Sequence, residues 1–309
     1  RDQFALSILS VSELMSRPAP TWLVKPWLPE AGLTTLYGGP GEGKSFLALD
    51  WSLHLAHSSE WHEHYVHRGG TVVYVAGEGV AGLPNRIKAW SQEYARPVTD
   101  NLFIIPQAIP MLDSRWMEVT LEAIKAMNRD VCLVVIDTLS RAFVGADENS
   151  QADMGLFVAS CAEIQRETGA SVLVIHHSGK DSSRGLRGSS VLLGAVDANL
   201  RVKRIDDQVT LSAEKMKDAE PPESITFDLV SREFGTPIST QNSLVLKRAL
   251  VTKRGTARVS LSPKQSLMLK ALKSAIRKHG ESIQGNDSVT LETWRESAWD
   301  ETPQDENRQ

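Results

Sequence analysis

Short apolar runs alternate with helical patterns from residue 33 to about residue 230, and this alternation limits the possible folds most strongly. Runs such as "TVVYVAG" and "VCLVVID" have the length of single strands, whereas segments such as "SFLALDWSLHLAH" place apolar residues on one helix face. Apolar strands separated by helices indicate a parallel sheet that is covered on both faces. The segment therefore predicts an α/β fold with a mostly parallel sheet flanked by helices.

The pattern changes after Ala198 towards an antiparallel arrangement. "NLRVKRIDDQVTLSAEKM" predicts a hairpin that turns at Asp206 and Asp207, and "SITFDLV" predicts a further strand. We assign residues 1–252 to one α/β core, of which residues 1–30 form an N-terminal lead-in.

The segment 253–309 differs in composition and is predicted to be small and helical. In "SPKQSLMLKALKSAIRKHG", Ser262 is in the N-cap position, Pro263 opens the first turn and Gly280 follows the last turn, which is typical of a helix. A second short helix is predicted to start near Thr290. The domain boundary is placed in the linker over residues 252–262.

Composition is that of an ordinary globular chain and excludes several classes of protein. The longest apolar run, "VCLVVI", fits one buried strand and is far shorter than the roughly 18 residues of a membrane span. The N-terminus has neither a signal-peptide core nor a cleavage site. Cys132 and Cys161 lie in apolar patterns, which favours buried reduced thiols over a disulfide or a nucleophile. We expect a cytoplasmic protein with no membrane partner.

The net charge of −4 hides an uneven distribution. Residues 241–279 contain ten Lys or Arg and no Asp or Glu, whereas residues 281–309 contain eight acidic residues and two Arg. A basic block beside an acidic tail indicates an anionic partner, a contact with another subunit, or a solvated surface.

The segment "GGPGEGKS" fits the pattern G-x-x-x-x-G-K-[ST] and lies between a predicted strand and a predicted helix. In such a loop, backbone N–H groups and the helix N-terminus surround phosphate oxygens. Lys44 is expected to reach the β- and γ-phosphates of ATP, and the Ser45 hydroxyl is expected to ligate Mg²⁺. The predicted nucleotide contacts are Gly38, Gly39, Pro40, Gly41, Glu42, Gly43, Lys44, Ser45 and Phe46.

Two carboxylates are candidates for the chemistry of such a site. Asp137 ends the strand "LVVID" and is expected to hold Mg²⁺ either as a direct ligand or from the outer coordination shell, because this metal site needs a carboxylate at the end of a neighbouring buried strand. Thr138 follows it, where many ATPases carry a Glu, so Glu78 at the end of "VVYVAGE" is the candidate general base. Glu78 would face the same crevice if its strand neighbours the strand before the glycine loop.

The histidines of the chain fall into two groups. His176 and His177 end the strand "VLVIHH" and point to opposite faces, so one of them can face the phosphates and sense hydrolysis. The other group, His62, His64 and His67 in "HEHYVH", lies in a polar connection, which favours an ordinary loop over a metal site.

Five segments occur in an order and at a spacing that resemble a known family. They are residues 38–45, "VVYVAGEG", "VVIDTLSR", "VIHHSGK" and "LRGSSVLLGAVDANL". Together they resemble the RecA-like ATPases of the RepA replicative helicase type, plasmid and phage relatives of the DnaB ring helicases. The resemblance covers roughly residues 14–230 and implies a homo-oligomeric ring, usually a hexamer, with ATP bound between neighbouring subunits.

The resemblance also implies roles for individual residues. Glu78 matches the catalytic glutamate, Asp137 matches the Walker B carboxylate, and His177 matches the γ-phosphate sensor. The segment "GKDSSRGLRGSS" matches a channel loop that holds single-stranded DNA in the relatives. Its cations would neutralise DNA phosphates, with a solvated loop as the alternative. The candidates are Arg184 and Arg187, with Lys180 behind them.

In ring helicases the strand that matches "SAEKMKDAE" sends a Lys and an Arg into the ATP site of the next subunit. The matching residues here are Lys215 and Lys217, and the second of these departs from the usual Arg. A lysine supplies charge without the bidentate fork of an arginine. Arg201 or Arg204 would be the substitute.

The leading interpretation is an ssDNA-stimulated ATPase that acts as a 5′→3′ replicative DNA helicase, with a primase or a loader as a further partner. The alternative is a RecA-like DNA-binding ATPase, used in recombination or as a switch, that does not unwind DNA. A small-molecule P-loop kinase is disfavoured because "SSRGLRGSS" fits the helicase order better than a kinase lid. The helical or winged-helix-like appendage would contact DNA, a loader or a neighbouring subunit, or present a solvated face, through Lys264, Lys270, Lys273, Arg277 and Lys278.

Overall fold

The computed structural model describes most of the chain up to residue 249 and parts of the remainder. The described residues are 8–17, 19, 21–177, 190–236, 239–249, 268, 271–272, 274–276, 278–279, 281–283 and 286–300. The chain divides into two compact units, Arg1–Ala249 and Leu250–Gln309. Among the described residues, no helix is long and apolar enough to cross a bilayer.

The first unit alternates strands and helices along the chain. Its helices are α1 (Val11–Met15), α2 (Lys44–Ala56), α3 (Leu83–Glu93), α4 (Ser114–Ala126), α5 (Leu139–Ala142), α6 (Gln151–Thr168) and α7 (Ser190–Ala195), and a short 3₁₀ turn covers Val80–Gly82. Its strands are β1 (Trp22–Val24), β2 (Leu28–Pro29), β3 (Leu33–Gly38), β4 (Thr71–Ala76), β5 (Leu102–Ile105), β6 (Val131–Asp137), β7 (Ser171–His177), β8 (Ala198–Ile205), β9 (Gln208–Met216), β10 (Ile225–Thr236) and β11 (Ser239–Arg248).

Nine strands of the described residues form one sheet, in the order β11-β10-β9-β8-β3-β7-β6-β4-β5. The six strands from β8 to β5 are parallel, whereas β8, β9, β10 and β11 form an antiparallel meander at one side. This arrangement confirms the predicted α/β class and fits a RecA-like P-loop core. The predicted hairpin is also confirmed, with its turn at Asp206 and Asp207. Strand β11 was not predicted.

The core lies on both faces of the sheet, as the apolar strands predicted. Successive side chains of β6 alternate between two clusters of buried residues: Leu133 and Val135 belong to one, and Val134 and Ile136 belong to the other. Helices α2 and α3 cover the first face, and α4 and α6 cover the second. Large buried side chains such as Phe157 each contribute about 1.5–3 kcal/mol relative to an exposed position.

The strand order differs from the simplest expectation for the two carboxylates. The strands before Asp137 and Glu78, β6 and β4, do not neighbour the phosphate-loop strand β3, because β7 pairs with β3 and separates it from both. Since all of these strands are parallel, their carboxyl ends still meet at one edge of the sheet. Both residues therefore remain at the edge where β3 ends.

In the second unit the described residues form a short hairpin, β12 (Glu281–Ile283) with β13 (Asn286–Ser288), and helix α8 (Leu291–Asp300). The Thr290 hydroxyl accepts a hydrogen bond from the Thr293 N–H, as expected of an N-cap, so the predicted short helix is present. The predicted helix over residues 262–280 lies largely outside the described residues, and the described positions 271–272, 274–276 and 278–279 are helical.

Candidate nucleotide and catalytic site

The glycine-rich loop connects the carboxyl end of β3 to the first turn of α2. Gly43 has a φ of 94° and is the N-cap of α2, a backbone conformation that favours glycine. A Cβ atom on Gly38 would lie 2.4 Å from the carbonyl oxygen of Val202, so any side chain there would clash with β8. The loop thus brings its backbone N–H groups and the start of a 13-residue helix to one place, the arrangement that binds phosphate.

Lys44 is the buried cation of this loop, with 5% of its surface exposed. Its ammonium donates hydrogen bonds to the carbonyl oxygens of Gly38, at 2.9 Å, and Gly39, at 2.7 Å. Burial lowers the pKa of Lys44, while the negative charges of Glu42, Asp137 and Glu78 oppose this shift. The ammonium therefore lies in a site where additional negative charge, such as a phosphate, would be favourable.

The side chain of Glu42 forms a hydrogen bond inside the glycine-rich loop. Its Oε2 accepts a hydrogen bond of 2.6 Å from the N–H of Gly39. Phe46, the last of the predicted nucleotide contacts, lies beneath the guanidinium of Arg86, which is 4.4 Å from the centre of the ring. Glu42 thus ties the loop to its own backbone at Gly39, and Phe46, in the first turn of α2, packs against Arg86.

Asp137 is 3% exposed at the end of β6. The hydroxyl of Tyr74 donates a hydrogen bond of 2.6 Å to its Oδ2, whereas its buried Oδ1 has no hydrogen-bond partner among the described residues. Burial raises the pKa of Asp137, and the hydroxyls of Tyr74 and Ser45 lower it. An unpaired carboxylate oxygen beside a serine hydroxyl fits a hard cation with oxygen ligands, such as Mg²⁺.

Glu78, His177 and Lys44 form a chain of contacts across the edge of the sheet. The Nδ1 of His177 lies 3.3 Å from the Nζ of Lys44. Its Nε2 lies 3.7 Å from the Oε1 of Glu78. The other carboxylate oxygen of Glu78 lies 3.8 Å from the Nε of Arg141, and the Glu78 side chain is 39% exposed. His176 is only 1% exposed, so the two adjacent rings have different environments.

Two residues of this site were missed in the sequence. Tyr74 lies two positions before Ala76 on β4 and therefore shares a face with it, and Ala76 pairs with Asp137. Arg141 follows Asp137 by four residues, and a Cβ on Gly77 would lie 2.8 Å from the Cβ of Arg141. The period of the strand and the spacing within "VVIDTLSR" were the available signals.

Both lysines that were predicted to act in trans, Lys215 and Lys217, form contacts with residues of this chain. The ammonium of Lys215 donates to the carbonyl oxygens of Leu193, at 2.7 Å, and Gly194, at 3.4 Å. Lys217 pairs with Asp197 at 3.3 Å. The substitutes are also engaged, because Arg201 pairs with Glu214 and Arg204 pairs with Asp207. The predicted DNA contacts Lys180, Arg184 and Arg187 lie outside the described residues.

The two cysteines are both buried and free, as predicted. Burial raises the pKa of Cys132 to about 12 and also raises that of Cys161. Neither thiol ionises near neutral pH, so neither is a nucleophile of this site.

A phosphate-binding loop, a buried strand-end aspartate and a glutamate at the same sheet edge define a P-loop ATPase. The comparison with protein families agrees with this class. A family model described as an AAA domain (AAA_25) matches residues 2–183, and the chain belongs to this family. Among solved structures, the chain is similar to the "ATPase Domain of G40P", with 14% identity over 65% of this chain and 82% of that chain and a TM-score of 0.47.

Proposed function

We propose that this protein is an ATP-dependent replicative DNA helicase of the RepA type, which forms a ring and moves along single-stranded DNA. One observation carries the proposal. His177 contacts both Lys44 and Glu78, and the chain runs from it directly into residues 178–189, which contain Lys180, Arg184 and Arg187. A change at the phosphates would thus reach the proposed DNA loop through one residue.

In this proposal the chain supplies the groups that bind and hydrolyse ATP. The loop N–H groups and Lys44 hold the β- and γ-phosphates. Glu78 orients the attacking water and accepts its proton, which its partly exposed carboxylate allows. His177 lies between these two residues, where its ring responds to the γ-phosphate.

Ser45 and Asp137 would hold Mg²⁺, since the free Oδ1 of Asp137 and the Ser45 hydroxyl are oxygen donors of the required kind. When bound, the ion would neutralise charge that develops on the phosphates. Tyr74 keeps the carboxylate of Asp137 oriented by its hydrogen bond to Oδ2.

A cation from the next subunit of a hexameric ring would complete the site. Lys215 and Lys217 are the candidates, and their contacts within this chain are with two carbonyl oxygens and one partly exposed carboxylate. An exposed ion pair such as that of Lys217 is worth only about 0–1 kcal/mol and can be exchanged for a phosphate contact.

The test uses the purified chain with ATP and Mg²⁺. A helicase forms rings visible by electron microscopy, hydrolyses ATP faster with single-stranded DNA, and displaces one strand of a forked duplex. Stimulated hydrolysis without displacement would instead identify a RecA-like DNA-binding ATPase. Hydrolysis that does not respond to DNA would contradict both functions. Deletion after Ser260 would show whether residues 261–309 contribute to DNA binding.

A further inference from the structure

A buried group of one carboxylate and two imidazole rings lies outside the nucleotide site. It consists of Asp50 and His54 on α2 and His62 in the connection after α2, and we call it the Asp50 cluster. One ligand atom from each residue lies within 4.8 Å of the others. The side chains of Asp50, His54 and His62 are only 3%, 4% and 4% exposed, respectively.

The local structure explains how the three side chains meet. Asp50 and His54 are four residues apart on α2, so they share one face of the helix. His62 reaches them with a φ of 46°, a left-handed conformation that is unfavourable for a residue other than glycine. The guanidinium of Arg248 donates a hydrogen bond of 2.7 Å to the His62 carbonyl oxygen and holds this conformation in place.

Asp50 is oriented by indole N–H groups. The Nε1 of Trp61 donates to its Oδ2 at 2.7 Å, and the Nε1 of Trp90 donates to its Oδ1 at 2.9 Å. No Lys or Arg among the described residues forms an ion pair with this carboxylate. Positive charge beside this buried carboxylate therefore has to come from the imidazoles of His62 and His54, or from an ion that they bind together with Asp50.

The Nε2 of His54 lies beside the carboxylate of Asp50. The Nδ1 of His54 lies 3.2 Å from the Ser59 hydroxyl oxygen, and the Ser59 hydroxyl also lies 3.4 Å from the His54 carbonyl oxygen, to which it can donate. In the tautomer whose Nδ1–H donates to Ser59, Nε2 is an acceptor and can bind a metal ion. The buried Nε2 has no hydrogen-bond partner in the described part of the chain and lies 3.7 Å from Oδ1 of Asp50. In the tautomer protonated at Nδ1, this nitrogen and the carboxylate oxygen are two acceptors, which a cation between them would hold together.

We propose that the Asp50 cluster binds one Zn²⁺ ion through the carboxylate of Asp50 and the Nε2 atoms of His54 and His62. Zinc–ligand distances of about 2.0–2.1 Å in a tetrahedron place ligand atoms roughly 3.3 Å apart. The Nε2 of His62 lies 2.9 Å from Oδ2 of Asp50 and the Nε2 of His54 lies 3.7 Å from Oδ1, so each imidazole approaches its own oxygen of one carboxylate at a separation close to that value. The site takes one carboxylate and two imidazoles, and a water is its fourth ligand.

The surrounding contacts also suit a metal site. Ligating histidines usually donate their second N–H to a fixed acceptor, a role that the Ser59 hydroxyl can fill for His54, and ligating carboxylates are themselves hydrogen-bonded, as Asp50 is to Trp61 and Trp90. When the ion binds, the Nε2 proton of His62 moves to its Nδ1 or to solvent. The other histidines of "HEHYVH" do not contribute, because His64 accepts a hydrogen bond from Trp27 and His67 is exposed.

The test is a titration of the chelator-treated protein with Co²⁺, without nucleotide. We expect one Co²⁺ per chain with the visible absorption of a tetrahedral complex, and bleaching of that absorption when Zn²⁺ displaces the cobalt. The substitutions His54→Gln and His62→Gln remove ligands and should weaken binding at least about tenfold. His67→Gln is the matched control and should bind as the wild type does.

Two further variants separate this site from folding and from the nucleotide site. Ser59→Ala removes the acceptor of the His54 Nδ1–H and should weaken Co²⁺ binding roughly tenfold even if ligand variants fail to fold. Asp137→Asn alters the proposed Mg²⁺ site and should leave Co²⁺ binding unchanged. The proposal is overturned if the folded wild type binds neither Co²⁺ nor Zn²⁺, or if binding follows Asp137 or His67 instead of the cluster.

Discussion

The Nδ1 of His177 lies 3.3 Å from the Nζ of Lys44, so the end of β7 touches the phosphate-binding lysine. The opposite side of the same ring faces Glu78. Because the imidazole contacts both the cation that would hold the phosphates and the carboxylate that would activate water, it can couple the two.

Replacing His177 with Ala should retain ATP binding and lower the DNA-stimulated rate of ATP hydrolysis by about 100-fold, since the imidazole that contacts both Lys44 and Glu78 is lost. His177→Gln keeps a hydrogen-bonding group at this position and should recover most of that rate. Steady-state ATPase assays with and without single-stranded DNA measure both. An unchanged DNA response in His177→Ala would remove the proposed coupling.

Replacing Lys44 with Ala should weaken ATP binding about 10–100-fold, because a hydrogen bond to a charged group is worth roughly 1.5–3 kcal/mol. Isothermal titration with a non-hydrolysable ATP analogue gives the affinity. Lys203→Ala is the matched control, since Lys203 is an exposed lysine on β8. If both variants bind the analogue equally, Lys44 does not hold the phosphates.

Replacing Tyr74 with Phe removes the hydroxyl that donates to the buried Oδ2 of Asp137. The free energy of unfolding should fall by about 1–3 kcal/mol, because a buried carboxylate oxygen loses its hydrogen bond. Urea denaturation measures the change. Tyr65→Phe serves as the control because Tyr65 is 62% exposed, and a loss of similar size there would argue against the role of the Tyr74 hydroxyl.

The ion pairs of Glu93, on α3, should make the stability of the fold depend on pH. It pairs with Arg232, and its Oε1 lies 3.3 Å from the Nζ of Lys247. Burial raises its pKa, but hydrogen bonds and charge from these two cations outweigh burial and hold the pKa below its ordinary value of 4.5. The stabilisation is therefore fully present above about pH 4.5 and is lost as the pH falls through the lowered pKa.

Glu93→Gln should accordingly lower the melting temperature at pH 7, and its difference from the wild type should shrink as the pH falls below about 4.5. Calorimetry over a pH series measures this difference. Glu122→Gln, at an exposed position of α4, provides the comparison. A difference that stays constant with pH would show that the Glu93 carboxylate charge does not stabilise the fold.

Much of the fold was predictable because its signal is local. The alternation of apolar runs and helices indicates a parallel sheet, and the glycine loop between a strand and a helix locates the phosphate site. Strand β11 gave no such signal, since it begins with the polar sequence "STQNS" and its stability comes from pairing with β10. Strand order likewise depends on long-range pairing, so the insertion of β7 beside β3 was not predicted.

The side-chain contacts of the nucleotide site and of the Asp50 cluster were harder to predict from the sequence. Glu78 and Asp137 could be identified from strand ends, whereas Arg141 and Tyr74 matter through neighbours that only the folded chain defines. The segment "HEHYVH" was predicted to be an ordinary loop. Only one of its histidines, His62, meets Asp50 and His54, and no spacing within the segment reveals that partnership.

The steady-state rate of ATP hydrolysis by Glu78→Gln, with saturating single-stranded DNA, tests most directly whether Glu78 is the general base. The amide keeps the size of the side chain and cannot accept the proton of the attacking water, so the rate should fall at least about 100-fold while the affinity for ATP is retained. A variant that hydrolyses ATP at the wild-type rate would contradict the account, because Glu78 would then not be the base.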